Sequence, residues 1–139
     1  MLWATGATVQ DRPTSQELLE AVRLFLENDV VPSLEGTKKF HARVAANVVT
    51  IVARQIALEA GHLELEWRRL DALFGVEPMP TEPSAITDAL RRRTESLCAR
   101  IRRGEADEEP FRTAVLDHVR QTVVEKLAID NPKLVKPLL

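Results

Sequence analysis

Apolar residues recur at spacings of three and four along most of the chain, and no segment shows the period-two alternation of a half-buried strand. The pattern predicts an all-α protein: a compact bundle of about five helices, with a three-helix half, a Pro-rich connector and a two-helix half. The longest apolar segment free of Gly and Pro is Lys39 to Glu59, KFHARVAANVVTIVARQIALE, where Phe40, Val44, Val48, Ile51 and Val52 mark one helix face. It reads as the central helix. Upstream, Thr14 with Glu17 three residues on forms a capping box, so a first helix starts there, with Leu18, Leu19, Val22, Phe25 and Leu26 as its buried stripe. Pro32 disfavours a helical Val31, which ends this helix nearby.

Gly61 is expected to cap or bend the central helix, and a third helix then runs from about His62 to Phe74 on Leu63, Trp67, Leu70 and Phe74 until Gly75 stops it. Pro78, Pro80 and Pro83 make VEPMPTEPS an extended connector, the internal boundary between the halves. Ser84 is the expected N-cap of a fourth helix with Ile86, Leu90, Leu97 and Ile101 inward, closed by Gly104. Pro110 opens a fifth with Val115, Val119, Thr122, Val123 and Leu127 inward, ended by Asn131-Pro132. Residues 1–12 are expected to be a loose arm, 13–131 a single helical domain, and 132–139 a tail whose Leu134, Val135, Leu138 and Leu139 pack back on the bundle.

Composition narrows the functions. A length of 139 residues suits one domain with a proper core. A net charge of -2 and the absence of Tyr argue against a nucleic-acid partner, which calls for basic excess and stacking platforms. A lone Cys98 rules out an intramolecular disulfide. No apolar run approaches the roughly 20 residues of a membrane span, and MLWATGATVQDRP does not read as a secretory signal, so the expectation is a cytoplasmic protein without a membrane partner.

Candidate chemistry is sparse. His41, Asn47 and Arg54 interrupt the apolar central helix, and their burial would oblige them to find partners. They are the candidate polar cluster, read first as helix-helix fixing contacts and otherwise as the lining of a pocket or interface. Glu59-Ala60-Gly61-His62 has the Glu-x-x-His spacing of di-iron bundles, but no second such pair exists and Gly61 weakens the helix between them. Arg91, Arg92 and Arg93 fan round their helix and, with Arg100, Arg102 and Arg103, precede Glu105, Asp107, Glu108 and Glu109, so a solvated, locally neutralised face is the reading. Cys98 sits at the margin of an apolar stripe as a small core residue, and no GxSxG elbow or phosphate-cradling loop occurs. No catalytic, cofactor-binding or metal-binding residue is assigned.

Three stretches, VQDRPTSQELLEAVRLFLENDVVPSLEG, KFHARVAANVVTIVARQ and VVEKLAIDNPK, together resemble an uncharacterised bacterial domain-of-unknown-function family of small helical proteins. Its members are often encoded beside aminoglycoside-phosphotransferase-like kinases and acyl-CoA dehydrogenases. The resemblance implies a context, an accessory role in such a pathway, and transfers no catalytic residue. Residue pattern and resemblance together lead to the expectation of a non-catalytic helical interaction protein, either a homodimer or the partner of a neighbouring-pathway protein. The alternative is a helical bundle that binds a small acyl or CoA-like ligand in an apolar cavity, with His41, Asn47 or an Arg at its mouth.

Overall fold

A computed structural model describes residues 12–138. Expectations for the N-terminal arm up to Asp11, and for Leu139, lie outside the described residues. Four helices carry the fold, and no strand occurs among the described residues: α1 (Ser15–Phe25), α2 (Gly36–Phe74), α3 (Pro83–Arg102) and α4 (Phe111–Asp130).

The Thr14 capping box forms as expected: the Thr14 amide donates to Glu17 Oε2 at 2.7 Å and the Glu17 amide to Thr14 Oγ1 at 3.2 Å. Pro32 does not end the first helix where expected. The chain widens into a π-turn over Leu26–Val30, with the Val31 amide bonded back to Leu26 O, and one more helical turn, Val31–Ser33, follows. Proline removes one amide donor and crowds the preceding turn, and a wide turn accommodates both without leaving the helix.

The larger correction concerns helix count. The expected central and third helices are one continuous 39-residue helix, α2. Gly61 lies inside it without the positive φ of Gly36, Gly75 and Gly104. A mid-helix glycine costs about 1 kcal/mol against alanine, too little to break a run flanked by good helix formers. Gly75, at φ +98, does stop it, and its amide still bonds to Asp71 O at 2.8 Å. The fourth helix starts two residues earlier than expected: Glu82 is its N-cap in extended conformation and Pro83 its first residue, ahead of Ser84. Gly104, at φ +85, follows its C-cap.

The chain divides into two compact units, Met1–Ala57 and Leu58–Leu139. The division falls within α2 and not at the Pro-rich connector. In the second unit Trp67, Leu70, Ile86, Ala89, Leu90, Leu97 and Val115 form the core, with Leu70 fully buried. The connector belongs to it: Trp67 Nε1 donates to Glu77 O at 3.1 Å, and Met79 packs on the cluster. Arg93 is also buried there, 6% exposed, which overturns the solvated-face reading at that position. Arg100 lies between rings, 5.2 Å from Phe74 and 4.3 Å from Phe111, and pairs with Glu105.

The first unit is different. Among its described residues the buried ones are Ala42 and Ala46, and the expected buried stripe of α1 is not buried. Leu18, Val22 and Phe25 are exposed, Phe25 by 58%, and the α2 row Phe40, Val44, Val48, Val52 and Ile56 is exposed as well, Phe40 by 62%. By length and composition α2 also contains an 18-residue window, of mean hydropathy 1.2, apolar enough to cross a membrane. Counting apolar runs misses it, because Asn47, Arg54, Gln55 and Glu59 break the run while the average stays high.

Candidate functional site

The second unit carries an open cleft of about 520 Å³ whose walls come from α3 and α4, with Glu66 of α2 contributing. Helical spacing explains the lining. Leu90, Leu97 and Ile101 recur along α3, and His118, Thr122 and Lys126 recur at intervals of four along α4 beside Val119 and Val123. Leu90 and Leu97 are core residues, so the cleft floor is the edge of the hydrophobic core itself.

His118 is the polar residue on that floor. It is 5% exposed, and its Nδ1 has no hydrogen-bond partner. Burial holds the imidazole below its ordinary pKa, the Arg69 cation adds to this, and Glu125 opposes it, so the ring is neutral near pH 7. Arg69 is itself spoken for: Nη1 and Nη2 donate to the two Glu125 carboxylate oxygens at 2.6 and 2.8 Å, and Nη2 reaches Thr122 Oγ1 at 3.3 Å. Thr122 in turn donates to His118 O at 2.9 Å. This network ties α4 to α2, and His118 Nδ1 stays buried beside it without a hydrogen-bond partner.

Glu66 lines the same cleft. Burial pushes its carboxyl up, while Arg69 and Lys126 pull it down and Glu125 adds to the rise. Cys98, half-buried, also lines it. The sequence gives no sign of this grouping, since His118, Cys98 and Glu66 sit on three different helices. The signal present was weak: a histidine three residues after Val115, on the inner face of α4.

The expected cluster of His41, Asn47 and Arg54 lies in the first unit, and the structure brings together two of the three. Asn47 and Arg54 line a cleft of about 450 Å³ with Arg23, Glu27, Arg43 and Thr50. His41 is exposed away from it, its ring 5.9 Å from that of Phe40. Arg23 donates to Glu20 at 2.8 Å and also to Glu27, and these carboxylates hold its guanidinium above, and it holds Glu20 below, the ordinary range. The cleft lies between α1 and α2, and these ion pairs run along its α1 side. Glu59 is exposed and His62 half-buried, and among the described residues no three His, Cys, Asp or Glu side chains group as metal ligands.

A family model described as a domain of unknown function, DUF6285, matches residues 32–134, which takes in α2, α3 and α4 and begins after α1. No curated protein and no solved structure matches the chain.

Proposed function

Since the chain belongs to the DUF6285 family, a domain of unknown function, we propose that it is a non-catalytic helical interaction protein that self-associates through the first unit. The observation that carries this reading is the pair of exposed apolar rows, Leu18, Val22 and Phe25 on α1 and Phe40, Val44, Val48, Val52 and Ile56 on α2. A helix that is apolar on most of its circumference belongs in an interior. In this stretch of α2, Ala42 and Ala46 are already buried, and the remaining apolar row has no cover within the chain's described residues.

A second copy is the occupant the observations favour. The eight half-exposed side chains present on the order of 700 Å², near the roughly 800 Å² per partner of a standard interface. Two such hairpins placed face to face complete a four-helix bundle. A bilayer suits the surface less well. Glu17 and Glu20 on α1 and Glu27 and Asp29 in the π-turn after it crowd this surface, whereas membrane-surface helices favour Lys and Arg. Arg54 and Glu59 lie inside the apolar stretch of α2, and Arg54 would cost about 2.5–3.5 kcal/mol at the centre of a membrane. We place the protein in the cytoplasm, as an accessory to a phosphotransferase or acyl-CoA dehydrogenase pathway, the context that its family resemblance implies.

Light scattering on the purified chain tests the reading. The expected result is a dimer that Val48→Glu converts to a monomer with unchanged helix content. A wild-type monomer at 100 µM-scale concentrations, or one that partitions onto neutral lipid vesicles through the same residues, would overturn it.

A further inference from the structure

We propose that α1 is a hinged strap that swings off α2 while α2 stays helical, and that its closed position completes the surface met by a second copy, a step that rests on self-association through the first unit. No residue from Ser15 to Ser33 is buried, so little apolar area is given up when α1 leaves. Two open clefts, of about 450 and 240 Å³, lie between α1 and α2 in place of close packing. The α2 wall of the larger one is mostly polar, formed by Arg43, Asn47, Thr50 and Arg54, which water can solvate. Arg23, the α1 side chain that lines both clefts, gives its guanidinium to Glu20 and Glu27 on its own side.

The connection between the helices has the parts of a hinge. The π-turn over Leu26–Val30, Pro32 without an amide donor and Leu34 in extended conformation interrupt the helical ladder ahead of α2. Gly36 then takes φ +57, and this left-handed residue is where the chain turns back to lay α1 along α2. An 11-residue helix is marginal by itself, whereas residues 40–57 extend a helix already nucleated as far as Phe74. Once lifted, α1 therefore frays and α2 does not. Leu18, Val22 and Phe25 leave the exposed apolar surface with it, so the strap decides whether a second copy meets both rows or the α2 row alone.

Hydrogen exchange of the full chain, read by mass spectrometry, tests the proposal. At low protein concentration the amides of residues 18–25 are expected to exchange at least about tenfold faster than those of residues 40–57, because a segment with little burial opens locally. Gly36→Ala strains the closed turn and not the open one, so it should speed exchange in residues 18–25 by about five- to thirtyfold and leave residues 40–57 unchanged. Gly104→Ala, which places a like strain in the second unit, should leave the α1 rate as it is. Raising the concentration should slow α1, since assembly holds the strap closed. A single rate for both segments, or a Gly36→Ala effect shared equally by them, would overturn the strap. Fast α1 exchange that does not slow in a chain that light scattering finds dimeric would overturn its link to assembly, whereas a monomeric chain would overturn the self-association reading and leave the strap standing.

Discussion

Arg93 lies with its guanidinium 4.5 Å above the Trp67 ring and donates from Nη2 to Asp71 Oδ1 at 2.9 Å. Asp71 Oδ1 also accepts the Glu77 amide at 3.2 Å, so this cation and this carboxylate pin the turn after α2 to the face of α3. Removing one member of a buried pair leaves the other uncompensated, which typically costs about 3–5 kcal/mol. Arg93→Ala is therefore expected to lower stability by roughly that amount. Asp71→Asn keeps an acceptor for Glu77 and should cost less. In urea unfolding of both single variants and the double variant, a coupling energy of at least about 1 kcal/mol is expected; additive effects would mean that the two residues act separately.

Two glycines should respond in opposite directions. Nothing lies within 4 Å of a Cβ built at Gly61, and its backbone is helical, so Gly61→Ala is expected to stabilise by about 0.5–1 kcal/mol. At Gly104 the backbone is left-handed and the new Cβ would sit 3.1 Å from Asp107 Oδ2, so Gly104→Ala should destabilise by about 1–2 kcal/mol. Paired thermal melts read both signs.

The cleft groups set opposed pH dependences. Because burial lowers the His118 pKa in the fold, the unfolded chain takes up a proton that the folded one refuses once pH falls below the ordinary histidine value of about 6.5. Stability from this group is thus complete above that pH and is lost as pH falls through the folded pKa. His118→Gln should flatten that decline.

Glu66 runs the other way. Its raised pKa lets the fold keep a proton that the unfolded chain has released, so its contribution is present below the ordinary carboxylate range and is lost as pH rises through the folded pKa. Glu66→Gln is expected to raise stability at pH 7 and to change it little at pH 4. Urea midpoints from pH 4 to 8 separate the two groups.

Association through the first unit predicts that its stability depends on concentration, since a partner that binds only the folded state stabilises by mass action. The melting temperature should rise over a hundredfold increase in protein concentration, and Phe40→Glu should abolish the rise. A concentration-independent transition in the wild-type protein would speak against assembly.

The helical class, the Thr14 capping box, the stop at Gly75 and the core positions Trp67, Leu70, Ile86, Leu90, Leu97 and Val115 were all legible in the sequence, because spacing and capping act within a few residues of chain. The continuity of α2 through Gly61 was not, since a glycine's cost is set against the whole helix around it. Nor did periodicity reveal what faces a stripe: Leu18, Val22, Phe25 and the Phe40 row have the pattern of a buried face and lie open. Amphipathic spacing states that a face requires cover, while the cover itself is a tertiary or quaternary matter. The same holds for the cleft, where His118, Cys98 and Glu66 meet only once three helices, distant in sequence, pack round one core.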